Sequence, residues 1–278
     1  MIQELYPGVY VRSSHIQKMM SVIIQGENAL YVFDPCYFDS EVAEIREFAR
    51  RLEAPDQERY LILTHSDWDH IAGVHDFEGY KIIASKSWDE ANELRMIDKV
   101  YVFDSEFYVD RPWTGLMPRV PIDNKVTDGD TIAGLTFFEA KGHTDDGIVS
   151  VYGDVAIVGD YLSDVEFPFI FTSSRTYEQT LAKFEDMIGR YGISKVVTQH
   201  GPAADGPDEI RRRIAVSYDY IARIRTLANE GIRQGLSLER IVEAGRDFVY
   251  EGKPVEIGIR NFHDDNIRLI YKEITKAL

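Results

Sequence analysis

The chain reads as an α/β layered domain with a C-terminal helical extension. Three observations predict this class. Strand-like and helix-like runs alternate over residues 1–205, the order expected of strands covered by helices. The run Tyr60-Leu61-Ile62-Leu63 is continuously apolar, as a strand buried on both faces should be. From Gly206-Pro207 onward the apolar residues recur at helical spacing: Ile210, Ile214, Tyr218, Ile221, Ile224 and Leu227. Residues 1–205 are therefore taken as the core domain and 206–278 as an extension packed on it.

The elements follow in order. Val9 to Arg12, Met20 to Gln25 and Ala29 to Phe33 are β-rich, and Gly26, Glu27 and Asn28 suggest a hairpin between the last two. Ser40 opens a helix to about Leu52, with Val42, Ile45, Phe48, Ala49 and Leu52 on one face. A strand at Lys81 to Ala84 and a helix from Lys86 to about Arg95 come next. Residues 96–125 are aromatic, charged and proline-bearing, and read as a long loop, either a lid or a packed surface excursion. Strands resume at Leu135 to Glu139, Ile148 to Tyr152 and Val155 to Val158, with Gly153-Asp154 as a tight turn. Thr176 and Gln179 form a capping-box pattern for a helix to about Tyr191. Lys195 to Thr198 is a further strand, and Ser237 and Asn261 are candidate caps for two more helices.

Composition narrows the function. Asp and Glu number 47 against 31 Lys and Arg, a formal net charge of −16. Nucleic acid and anionic membranes are poor partners for such a chain. One cysteine, Cys36, allows no internal disulfide, and the first residues carry no signal pattern. A cytoplasmic protein acting on a small molecule is expected, with a homodimer open.

Histidine is scarce, at seven residues, yet His65 and His70 share the stretch THSDWDH with Asp67 and Asp69, directly after the apolar run. A rigid strand that ends in a turn of four donors can converge them on a metal. A solvated polar loop is the plain alternative. Three more strand ends carry a ligand-type residue: His143 in KGHT, Asp160 in VGD and His200 in QHGP. Sites gather at the carboxyl ends of strands in open α/β sheets. His15, His75 and His263 match no such pattern and read as surface or structural residues.

THSDWDH, GHT, GD and HGP, in this order, resemble the motifs of the metallo-β-lactamase-fold hydrolases. Asp34 in Phe33-Asp34-Pro35 resembles the family's aspartate that supports the metal loop, and NIRLIYKE at Asn266 to Glu273 resembles the C-terminal helix of some members. The resemblance implies a four-layer αββα sandwich. It implies two divalent ions, zinc foremost with iron or manganese as alternatives. His65 and His143 would hold the first, Asp69, His70 and His200 the second, and Asp160 would bridge. One position departs: Asp67 stands where the family carries a second histidine. Either Asp67 is a ligand or it points away. As a ligand it adds a negative charge and a hard oxygen, which weakens the Lewis acid and favours iron or manganese more than histidine would.

The implied chemistry is hydrolysis by a metal-activated hydroxide, with Asp69 both a ligand and a hydrogen-bond acceptor for the nucleophile. Tyr161, next to Asp160, is either an oxyanion donor or a packing residue. Trp68 is expected to pack beneath the loop and Cys36 to be a buried thiol. Phe167, Pro168, Phe169, Phe171, Trp113 and Tyr108 are candidate pocket walls. An aromatic lid suits a small ester, thioester or lactone. The alternatives are a non-heme iron protein of oxygen or persulfide chemistry, a phosphodiesterase, and a sensor without activity.

Overall fold

The computed structural model describes residues 1–276. Among the described residues, seven helices and two larger sheets make up the α/β fold. The first sheet runs, in spatial order, β1 (Gln3–Tyr6), β2 (Val9–Ser13), β3 (Met20–Gln25), β4 (Ala29–Phe33), β5 (Glu58–Ile62), β6 (Lys81–Ser85) and β7 (Asn124–Val126). The second contains β8 (Thr131–Ile132), β9 (Leu135–Glu139), β10 (Ile148–Tyr152), β11 (Val155–Ile157), β12 (Lys195–Val197) and β13 (Ala204–Asp205), in the reverse order across the sheet. Among the described residues no helix is long and apolar enough to cross a membrane.

By internal contacts the chain forms two compact units. The first comprises Met1–Glu139, Asp146–Tyr152 and Ala156–Gly159. Its sheet is mixed: β1 to β4 pair antiparallel, and β4 to β7 parallel. The parallel register sets Phe33 beside Ile62, so the segments after β4 and β5 leave the sheet together. Helix α1 (Asp39–Leu52) turns Val42, Ile45 and Ala49 onto the sheet, against Ile23, Leu30, Val32 and Leu61. Each valine, isoleucine or leucine among them, fully withdrawn from water, contributes about 1.5–3 kcal/mol.

Residues 96–107 are not loop. Helix α3 (Glu90–Phe107) continues through them, capped by the Asp89 side chain on the Ala91 N–H and ended by left-handed Tyr108. Met96, Ile97 and Val100 are buried, and Phe103 packs on Trp68 and Tyr37. Those residues keep helical spacing, which the run of aromatics and charges obscured. Beyond the helix the chain is tied down. Arg111 pairs with Asp104 at 2.9 Å. Glu93 holds both Arg119 (2.9 Å) and the Val120 N–H (2.8 Å). Helix α2 (Trp68–Ile71) is a single turn between β5 and β6.

The second unit comprises Ala140–Asp145, Gly153–Val155 and the chain from Asp160 onward. Helices α4 (Ser174–Tyr191), α5 (Pro207–Arg233), α6 (Leu238–Ala244) and α7 (Arg260–Lys276) dominate it, with α5 packed on α4, α6 and α7. Pro207 at the first turn of α5 and Ser237 as the cap of α6 stand where the sequence puts them. Three expectations need correction. The cap of α4 is Ser173, whose hydroxyl accepts from the Thr176 N–H; Thr176 is the receiving residue. Asn261 lies inside the first turn of α7, because the one-turn helix Ile257–Ile259 runs straight into it. The tail is not wholly helical: β14 (Val249–Tyr250) and β15 (Lys253–Pro254) form a hairpin turned by Glu251 and Gly252, both at positive φ.

Candidate metal centre

The first unit gathers four of the sequence-predicted residues. Asp34 follows β4 and is completely buried. It accepts the Thr64 backbone N–H at 2.9 Å and the Thr64 hydroxyl at 2.6 Å, and its other contact is His70 Nδ1 at 3.0 Å. A carboxylate can be buried at tolerable cost only with such partners. The Thr64 proton is committed to Asp34, so Thr64 Oγ1 faces His65 Nδ1, 3.0 Å away, as an acceptor. The His65 imidazole therefore carries its proton on Nδ1 and presents the Nε2 lone pair. His65 Nε2 lies 3.7 Å from Asp67 Oδ2, and His70 Nε2 lies 3.8 Å from Asp69 Oδ2. The two rings are 4.0 Å apart, centroid to centroid. Asp67 occupies the cap position of α2, but its side chain makes no cap bond. Trp68 stacks on Tyr37 at 5.6 Å, under the turn, as the sequence suggests.

The second unit gathers the other three candidate ligand residues, His143, Asp160 and His200, with Tyr161. Gly142 adopts φ +121, and a Cβ there would meet the Tyr177 backbone at 2.4 Å. Only glycine lets the chain pass α4 this closely. His143, next in line, is fixed at three points. Its N–H donates to the Tyr161 hydroxyl (3.0 Å), its carbonyl accepts the Phe171 N–H (3.1 Å), and its Nδ1 faces the Phe169 carbonyl (2.8 Å). Its Nε2 is thereby turned to Asp160 Oδ2, 3.3 Å away. His200 Nε2 approaches the same oxygen to 3.5 Å. One carboxylate oxygen between two imidazole Nε2 atoms is the arrangement a shared ligand needs.

Tyr161 is buried, and burial pushes its phenol well above the ordinary value of 10.0. Phe167, read as a pocket wall, is itself buried against Tyr220 at 5.2 Å. Tyr108 is almost fully exposed.

Several supporting residues escape sequence reasoning. Glu166 Oε1 stands 3.9 Å from His200 Nδ1. Arg213, from α5, donates to the carbonyls of Leu162 (3.0 Å) and Pro202 (2.9 Å), and so ties the segment after Asp160 to the segment after His200. Thr64 leaves a trace in the sequence as the residue before His65. An arginine amid a helix rich in arginine leaves none.

The donors fit a divalent cation. Three histidines have Nδ1 turned to an oxygen, the outer contact that orients and enriches a metal-binding Nε2. Buried or part-buried carboxylates face the Nε2 atoms, so the structure carries candidate His/Asp ligand groups.

An α/β fold with buried histidine–aspartate clusters after its strands defines a class of metal-binding proteins. The Metallo-beta-lactamase superfamily profile matches residues 20–200, and the chain belongs to that superfamily. Solved structures share the fold at low identity. A beta-lactamase domain protein from Burkholderia ambifaria aligns with TM-score 0.68 and 15% identity, over 99% of this chain and 88% of its own. A metallo-beta-lactamase family protein from Thermus thermophilus gives 0.65 and 16%, over 99% and 95%. A stereoselective inverting sec-alkylsulfatase from Pseudomonas sp. gives 0.67 and 16% over 98% of this chain, which spans only 50% of that enzyme's length. No curated protein sequence matches the chain.

Proposed function

We propose that the chain is a metal-dependent hydrolase of small esters, thioesters or lactones, using two divalent ions, zinc foremost. By the family's pattern His65, His143 and Asp67 would hold the first ion and Asp69, His70 and His200 the second, and Asp160 would serve both. The observation that carries this reading is the orientation of the imidazoles: Nδ1 of His65, His70 and His143 faces Thr64, Asp34 and Phe169, and their Nε2 atoms face carboxylates. When bound, the ions supply a Lewis acid and acidify water to near neutrality.

The chain's own residues do the rest. Asp69 would accept a hydrogen bond from the attacking water. Thr64 and Asp34 face Nδ1 of His65 and His70 and so orient the two rings. Tyr161 serves the site by holding the His143 backbone. The net charge of −16 argues against polyphosphate and nucleic acid backbones as substrates.

Asp67 favours a second reading of the metal. A carboxylate oxygen 3.7 Å from His65 Nε2 hardens the first site toward manganese or iron. The test is a substrate panel of thioesters, lactones, aryl esters, alkyl sulfates and bis-aryl phosphates, assayed with zinc, manganese and iron. One of the first three classes should be turned over, and Asp69→Ala and His200→Ala should each abolish it. Turnover retained in either variant would end the mechanism.

A further inference from the structure

We propose that Asn266, on α7, is a positioning residue for His143; the inference rests on the metal reading above. Asn266 is 1% exposed. Its Oδ1 accepts the Ile170 N–H at 3.0 Å, and its Nδ2 donates to the Pro168 carbonyl at 2.6 Å and to the Tyr220 hydroxyl at 3.0 Å. An acceptor facing an N–H and a donor facing a carbonyl fix the amide's orientation.

The Ile170 N–H belongs to the same peptide plane as the Phe169 carbonyl, and that carbonyl receives His143 Nδ1 at 2.8 Å. A single peptide unit thus links His143 Nδ1–H to Asn266 Oδ1. The bond at its N–H end polarises the carbonyl at the other, which strengthens the acceptor. A stronger acceptor on Nδ1 makes Nε2 a better donor to a cation. The second grip, on Pro168, fixes the preceding peptide, so the carbonyl cannot rotate away. The same segment supplies the Phe171 N–H to the His143 carbonyl.

The amide itself is anchored. Tyr220 accepts from Asn266 and faces His263 Nδ1 at 2.8 Å, and His263 Nε2 reaches the Gly245 carbonyl at 2.9 Å. The C-terminal helix therefore orders a ligand far from it in sequence.

The test compares zinc affinity, by competition with a chromophoric chelator, in the wild type, Asn266→Ala, His143→Ala and the double variant. Asn266→Ala should weaken zinc binding by about 10- to 100-fold. In the His143→Ala background it should change affinity less than about twofold, because its target is gone. Equal losses in both backgrounds, or a lower melting temperature with unchanged affinity, would overturn the proposal. The wild type provides a check that needs no variant: linkage is reciprocal, so the Ile170 amide should exchange more slowly with zinc bound than in chelator. Equal exchange rates overturn the proposal even if Asn266→Ala fails to fold. A wild type that takes up no zinc defeats the metal reading itself. A loaded wild type with an equally loaded Asn266→Ala defeats only this inference.

Discussion

His65 and His70 draw their orientation from one carboxylate, Asp34, directly for His70 and through the Thr64 hydroxyl for His65. Asp34→Ala removes the acceptor for both, and zinc affinity should fall about 10- to 100-fold in a chelator competition. Asp67→His removes one negative charge near His65 Nε2. Higher zinc occupancy and a lower kinetic pKa should follow, and an unchanged pH–rate profile would contradict the charge argument. His263 offers a prediction remote from the ligands. Burial lowers its pKa below the ordinary 6.5, partly opposed by the Gly245 carbonyl. The folded state resists protonation, so His263 contributes no penalty above pH 6.5 and costs stability as the pH falls below it. Melting temperatures of wild type and His263→Gln, taken from pH 8 down to about pH 5, should show the wild type losing stability faster. Parallel curves would refute the assignment.

At the scale of elements, the close passage of the His143 segment against α4 depends on Gly142. Gly142→Ala puts a methyl 2.4 Å from the Tyr177 backbone at φ +121, so either Tyr177 or the segment must move. Destabilisation of about 1–3 kcal/mol or more is expected, read as a lower denaturation midpoint, with zinc affinity falling alongside. The elements that were legible in the sequence are those with a local signature. Strands β3, β4, β9 and β10 match their apolar runs, and Pro207 and Ser237 mark helix starts. What was not legible depends on tertiary partners. Helix α3 looked like loop because two of its three aromatic residues, Tyr101 and Phe107, are exposed while Phe103 packs on Trp68. The two-residue strands β8 and β13 exist only through pairing. The candidate ligand residues stand out in the sequence because histidine is scarce, at seven residues, and His65 and His70 fall among carboxylates directly after an apolar run. Arg213, Asn266 and the Phe169 carbonyl were not, because their role lies in contacts remote in sequence or in backbone atoms that every residue has.

For the whole molecule, a chain of net charge −16 with carboxylates clustered beside its candidate histidine ligands should be stabilised by bound cations. Metal should therefore bind the folded state far better than the unfolded one, and stripping it should lower the melting temperature; an ion present at 100 times its Kd contributes about 2.7 kcal/mol. A melting temperature unmoved by chelator would argue for a fold that does not use metal. The most direct measurement is elemental analysis of the chain purified without added metal. The account predicts two divalent ions per chain, and fewer than two in His143→Ala and His200→Ala. One ion or none in the wild type, with the count unchanged in these variants, would contradict it.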